Sequence, residues 1–168
     1  MKKMNKVRLI SIGGTLTTIT VLFQSAPVFL PAIGLFFSPL STLPVAIAAF
    51  YHTPLGIAVL FSSALILTLV SLQETVILLL TTGLLGIVIG TLLYRKGILI
   101  SILFSTIILF LGMASLTYIV GISAFGDLTS SASITLTLFI FITFSLIYSI
   151  IWNIYIRRFI KYLIKIIN

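Results

Sequence analysis

Apolar runs long enough to cross a membrane occupy most of this sequence. The stretch Ile98–Leu111, for example, contains no charged residue and has the length of a helix rather than a strand. Only 7% of the 168 residues are charged and 60% are hydrophobic, whereas a soluble domain has about 25% charged residues to wet its surface. In lipid every backbone polar group must be paired internally, so spans are helices or closed barrels. The runs lack the alternation of barrel strands. The sequence therefore predicts an all-α integral membrane protein, folded as a single transmembrane domain.

Six transmembrane helices are predicted, with bounds near Leu9–Phe23, Leu35–Tyr51, Leu55–Leu72, Thr75–Tyr94, Ile98–Ile122 and Ile134–Ile156. The first follows a Met-Lys-Lys start that resembles a signal peptide, but no small-residue cleavage motif closes it, so we expect it to be retained. All five prolines lie between positions 27 and 54, and proline removes a helix donor. We therefore expect an irregular loop at Ser25–Ser38, able to re-enter the membrane, and a short or kinked second helix beginning near Pro39 or Pro44. Because of these prolines, the second span is the weakest candidate for a transmembrane helix among the six.

The charged residues predict the orientation of these spans. Basic residues concentrate on the cytoplasmic side of membrane proteins. With six spans, an inside N-terminus and an inside C-terminus, all three basic clusters become cytoplasmic, and both acids, Glu74 and Asp127, fall in external loops. The net charge of +8 is thus interpreted as a topology signal of a multi-pass protein of the bacterial cytoplasmic membrane, in contact with the lipid bilayer and not with nucleic acid. The clusters are Lys2, Lys3, Lys6 and Arg8; Arg95 and Lys96; and Arg157, Arg158, Lys161 and Lys165.

The last twelve residues, 157–168, have an amphipathic helical pattern. Arg158, Lys161 and Lys165 share one side of that helix, and apolar residues such as Ile160 occupy the other. This predicts a basic tail that lies in the cytoplasmic interface with its lysines reaching anionic headgroups. A binding segment for a partner protein is the alternative.

Residue types that usually carry catalysis are sparse. The chain has no cysteine and one histidine, His52, without a nearby second metal-ligating residue. The two acids lie far apart in sequence, and no phosphate-binding glycine loop is present. No charged residue falls at mid-membrane depth, where ion-coupled transporters usually need one. We therefore expect no enzymatic activity, no cofactor and no metal site.

Small residues recur at helical spacing on two predicted spans. Such faces let helix backbones approach closely in lipid, where apolar burial does not drive association. The pattern predicts helix packing inside the protein or docking of another membrane subunit. The residues concerned are Gly83, Gly86 and Gly90 on span four, and Gly13 with Thr17 and Gly14 with Thr18 on span one.

Two segments carry a family resemblance: Pro31 to Gly34 leading through Pro44-Val-Ala-Ile-Ala-Ala-Phe-Tyr-His-Thr-Pro-Leu-Gly56, and Gly83-Leu-Leu-Gly86-Ile-Val-Ile-Gly90. Together they resemble the substrate-binding (S) subunits of energy-coupling factor transporters, and most of all the YybS-related membrane family of unknown function. The resemblance spans positions 8 to 156. It implies six helices, an external pocket for a small vitamin-like molecule, and a transmembrane coupling subunit with cytoplasmic ATPases as partner. The small-residue face of span one would meet that partner.

The resemblance implies that the chain is a substrate-binding or substrate-binding-like subunit of an uptake transporter. The alternative is a structural scaffold of a cell-envelope complex, because the chain also resembles MreD proteins in size and general fold. A ligand pocket should bring Glu74 and Asp127 together, near Gln24 or Tyr118, at the external end of the bundle. A scaffold needs no such pocket.

The predicted topology can be tested by thiol labelling, since the chain has no cysteine of its own. Single cysteines at Lys3, Asp127 and Asn168 should react with a membrane-impermeant reagent in intact cells only at position 127. Labelling at position 3 or 168 without labelling at 127 would show that the orientation is the reverse of the predicted one.

Overall fold

The computed structural model describes residues 6–122 and 134–167, and within these ranges the chain is helical without a β-strand. A 3₁₀ turn, Ser38–Ser41, joins α2 to α3. Turns of π-helix join α5 to α6 at Leu78–Thr82 and extend α7 at Leu116–Val120. The helices are α1 Lys6–Phe29, α2 Pro31–Phe37, α3 Thr42–Tyr51, α4 Thr53–Thr68, α5 Leu72–Ile77, α6 Gly83–Leu92, α7 Ile98–Ser115 and α8 Ile134–Ile167.

Five helical stretches are long and apolar enough to cross a membrane, and their number suggests a multi-pass membrane protein. The all-helical prediction is confirmed for the described residues. The second predicted span reaches membrane length, over Ile33–Tyr51, because α2, the 3₁₀ turn and α3 follow one another without a break. The short helix is instead Thr53–Thr68. Its 16 residues are fewer than the roughly 20 that a helix perpendicular to the membrane needs to cross it.

The predicted irregular loop at Ser25–Ser38 is wrong, since only Leu30 in that stretch is non-helical. Leu30 has φ −134° and ψ 77°, and the chain folds back there so that α2 packs on α1. Helices start afresh after the non-helical residues Leu30 and His52, so the missing N–H of Pro31 or Pro54 has no intrahelical partner to lose. Most of the prolines lie in the first turn of their element. Those prolines are Pro31, Pro39, Pro44 and Pro54; Pro27 lies in the last turn of α1.

Helix α3 packs closely against α6 in the middle of the bundle. Its inward side chains are small and fully buried: Val45, Ala46, Ala48 and Ala49. Facing them on α6 are Gly86 and Gly90. A Cβ added to Gly86 would lie 2.8 Å from the carbonyl oxygen of Thr42, and one added to Gly90 would overlap the carbonyl of Ala46. The two backbones can approach this closely only because these positions lack side chains.

The predicted interfacial tail is part of α8, which runs through Ile156 into the basic residues without a break. Ile156 and Ile160 belong to the buried core, together with Leu93, whereas Arg158 and Lys161 are exposed. Ile160 therefore packs on the protein rather than on lipid, whereas the interfacial position of the rest of the tail stays a prediction. At 34 residues, α8 is about 50 Å long and exceeds the membrane core.

Two of the basic clusters meet at one end of the bundle. The hydroxyl of Tyr94 donates a hydrogen bond to the carbonyl oxygen of Arg157 at 3.3 Å. Arg95 and Lys96, which follow Tyr94, are therefore close to Arg157, as the predicted common side of the membrane requires.

The close contact of α3 and α6 predicts that Gly86→Leu destabilises the protein. The added side chain has to displace the α3 backbone, and overpacking of this kind costs about 1–3 kcal/mol. Gly14→Leu is the matched control, because a Cβ at Gly14 meets no atom within 4 Å. Thermal unfolding in detergent measures both. Equal midpoints for the two variants would show that α3 and α6 do not pack as described.

Candidate ligand-binding cavity

The amide of Gln24 is the centre of a buried hydrogen-bond network. Gln24 lies on α1 and is fully buried. Its Nε2 donates to Oγ of Ser38 at 3.0 Å and to Oε2 of Glu74 at 2.8 Å. Its Oε1 accepts from Oγ of Ser41 at 2.7 Å and from Oγ1 of Thr82 at 3.1 Å. Because a glutamine amide has two donor hydrogens and two acceptor lone pairs, this network uses its full capacity.

Glu74 sets the orientation of that amide. An ionised carboxylate can only accept hydrogen bonds, whereas hydroxyl groups both donate and accept. The nitrogen of the Gln24 amide must therefore face Glu74, which turns the oxygen toward Ser41 and Thr82. The hydroxyl groups adapt to either arrangement, so the carboxylate gives the network its direction. The network links α1, the 3₁₀ turn, α5 and the π-helical turn that follows α5.

Glu74 lies in the first turn of α5 and is only 8% exposed. The N-cap residue Ser71 accepts a hydrogen bond from the backbone N–H of Glu74 at 3.3 Å, in the Ser-x-x-Glu pattern of a capping box. In a complete box the glutamate side chain would turn back to the N-cap, but here it reaches Gln24 instead. The prediction of an external loop at Glu74 is therefore wrong, because the Ser71 cap starts the helix at Leu72 rather than at Thr75.

A cavity of about 350 Å³ lies beside this carboxylate. Its polar lining comes mainly from the 3₁₀ turn and from the helix that begins with α5. The lining from α7, its π-helical extension and α8 is largely apolar. The polar residues are Ser38, Gln73, Glu74, Thr81, Thr82 and Tyr148, and the apolar ones are Pro27, Leu35, Pro39, Ile77, Leu109, Met113, Leu116, Ile122 and Phe144.

The cavity and the basic clusters lie at opposite ends of the bundle. From Glu74 the chain runs along α5 and α6 to Arg95, a helical rise of about 30 Å. Along α1, Gln24 lies 16 positions after Arg8, a rise of about 24 Å. Since Gln24 and Glu74 are in contact, Arg8 and Arg95 are both remote from them and on the same side. This separation agrees with an external cavity and cytoplasmic basic clusters.

Of the four predicted ligand-binding residues, the structure brings two together. Glu74 lines the cavity, and Gln24 lies directly behind it, hydrogen-bonded to it. Tyr118 is 51% exposed and is not among the lining residues. Asp127 lies outside the described residues, so the expected pairing of the two acids stays a prediction.

The predicted small-residue positions on α1 line a second, open groove between α1 and α4, with a volume of about 570 Å³. Within it, a Cβ on Gly13 would lie 3.1 Å from Leu55, whereas Gly14 has open space. The hydroxyl of Thr18 donates to the carbonyl of Gly14 at 3.0 Å, and Thr17 is buried. The three glycines of α6 are instead packed internally, and Gly83 meets Leu60 of α4.

Sequence analysis missed a polar contact between α7 and α8. The amide of Asn153 accepts a hydrogen bond from Ser101, and donates to Ser105 at 3.4 Å and to the carbonyl of Ser149 at 2.8 Å. The sequence feature that could have predicted this contact is an asparagine inside an apolar span, with serines four residues apart on both helices. Buried amides of this kind hold helices together in lipid. The hydroxyl residues of the cavity region were also missed, because hydroxyls are common in membrane helices: Ser38, Ser41, Thr81 and Thr82. Gln73 was missed as well.

Comparison with protein-family models, with curated proteins and with solved structures finds no match for this chain.

Proposed function

We propose that this chain is a multi-pass membrane protein that binds a small solute in the cavity beside Glu74. We further propose that it serves as the substrate-binding or substrate-binding-like subunit of an uptake transporter of the energy-coupling factor type. The observation that carries the proposal is a buried carboxylate, held by the saturated amide of Gln24, at the wall of a 350 Å³ cavity.

The dimensions and lining of the cavity suit a ligand site. Ligand pockets usually measure about 300–1,000 Å³ and combine apolar walls with a few placed polar groups. This cavity falls at the small end of that range and has this division of its walls. Preorganised polar groups reduce the ordering cost of binding, and the Gln24 network holds Glu74 in place before a ligand arrives.

Binding without chemistry is proposed because the cavity offers few reactive groups. Its described lining has one carboxylate and neither histidine, cysteine nor lysine. A base paired with a nucleophile, as covalent catalysis needs, is not formed by these residues. Energy for uptake would come from a coupling subunit with its own ATPases, as the sequence resemblance implies.

The groove between α1 and α4 is the candidate surface for that coupling subunit. It exposes Gly14 and Thr18, and small residues allow another membrane helix to approach closely. The same groove also favours the second candidate function, a scaffold of a cell-envelope complex, because a scaffold too needs helix-docking surfaces. The two functions differ in the cavity, which only the first requires.

Blocking the cavity tests the proposed function. Met113 lines the cavity on α7 and is 5% exposed, so Met113→Trp should fill it. Leu111→Trp is the matched control on the same helix, at a side chain that is 55% exposed. Native mass spectrometry of protein purified in mild detergent should detect a retained small molecule in wild type and Leu111→Trp but not in Met113→Trp.

Two results would contradict the proposal. A retained molecule that survives Met113→Trp in a folded protein would place binding elsewhere. Wild-type protein without a retained molecule, isolated together with cell-envelope proteins, would favour the scaffold. Thermal unfolding distinguishes a blocked cavity from a misfolded variant, since overpacking alone costs about 1–3 kcal/mol.

A further inference from the structure

We propose that the cavity binds a small organic cation, in which a protonated amine or quaternary ammonium group on an apolar body is paired with the carboxylate of Glu74. This inference rests on the proposed function and adds the chemical class of the solute.

The first argument is that Glu74 lacks a basic partner. None of the ten lysine and arginine residues falls between positions 9 and 94, and the described cavity lining contains no basic side chain. The basic clusters lie at the other end of the bundle, about 30 Å away along the helix. A carboxylate removed from water is costly unless it is paired and hydrogen-bonded. A cationic ligand supplies the missing charge.

The second argument concerns the remaining capacity of the network. Gln24 gives the carboxylate one hydrogen bond, and an ionised carboxylate has about four acceptor sites. Gln24 cannot give a second, because its other N–H donates to Ser38 and its oxygen accepts from Ser41 and Thr82. A protonated amine has N–H donors and charge for the remaining sites, and charge-assisted hydrogen bonds are the stronger kind.

The third argument is the apolar wall of the cavity. Leu109, Met113 and Leu116 form the α7 side, and α8 adds the rings of Phe144 and Tyr148, whose centroids are 5.4 Å apart. Such a wall suits the apolar body of a ligand, and ring faces also attract cations. A solute with charge at one end and an apolar or aromatic group at the other matches both walls.

An inorganic cation fits the site less well. Calcium takes six to eight oxygen ligands and magnesium an octahedral shell. Among the described residues, no group of three or more His, Cys, Asp or Glu side chains could hold a metal ion. The cavity is also larger than a bare ion requires, and most of its wall provides no oxygen ligand.

Three probes of one shape test the charge requirement: 3-phenylpropylammonium, 3-phenyl-1-propanol and 3-phenylpropionate. Equilibrium dialysis against the protein in nanodiscs of zwitterionic lipid, corrected with empty nanodiscs, gives each affinity. The ammonium ion should bind wild type about tenfold or more tightly than the alcohol, and the carboxylate probe should bind least. Glu74→Gln keeps the acceptor for Gln24 and should abolish the preference for the ammonium ion, whereas Glu74→Asp should retain it.

The result separates this inference from the proposed function. If the alcohol binds wild type as tightly as the ammonium ion, or Glu74→Gln keeps the preference, the solute is not recognised as a cation. The cavity would still be a binding site if Met113→Trp removed that binding. If none of the three probes binds folded wild type at millimolar concentration, the inference of a cation site fails, whereas the proposed function is decided by the retained molecule in the Met113→Trp experiment. The emission of Trp152, the single tryptophan of the parent chain, reports whether each Glu74 variant is folded, and thermal unfolding reports it for Met113→Trp.

Discussion

The described structure depends on a polar interaction in an apolar bundle: the amide of Gln24 uses all four of its hydrogen-bonding positions. A buried polar group with an unused position would be destabilising in lipid, where water cannot replace the partner. Each bond therefore constrains the element at its other end. Helix α1, the 3₁₀ turn, α5 and the following π-helical turn are held around this one side chain. In its ionised form Glu74 can only accept, so it also fixes which way the amide faces.

The cavity follows from this constraint. Glu74 is held at the start of α5 by Gln24, and its carboxylate borders a space that α7 and α8 also line. Those two helices are joined by their own buried amide, Asn153, and by small serine side chains. The contact of Gln24 with Glu74 thus supports the polar wall of the cavity, and the Asn153 contact supports the apolar wall. The space between them combines a fixed charge with an apolar surface, which are the properties that the proposed solute site requires.

The sequence predicted the helical class and the separation of Glu74 from the basic clusters, because both follow from composition and from charge position. It also named Gln24 and Tyr118 as alternative neighbours of Glu74, and of these Gln24 is in contact. Three features of the structure were not predicted from the sequence. Pro27 and Pro31 were assigned to an irregular loop, although Pro27 lies in α1 and Pro31 begins α2. Glu74 was placed in a loop, although the Ser71 cap extends the helix to include it. The apolar face of the basic tail was assigned to lipid, but Ile160 packs in the core. In each case the residue type allows two environments, and only tertiary packing selects one of them.

The central claim is that Gln24 and Glu74 bind each other and act as a unit. A double-mutant cycle in detergent measures this directly, with Gln24→Leu and Glu74→Leu combined and free energies of unfolding compared. Residues in contact should show a coupling energy of about 0.5–3 kcal/mol. The control pairs Gln24→Leu with Gln73→Leu, since the adjacent Gln73 is exposed, and should be additive within about 0.5 kcal/mol. Additive effects for Gln24 and Glu74 as well would mean that the two side chains do not interact, and the account of the network would be wrong.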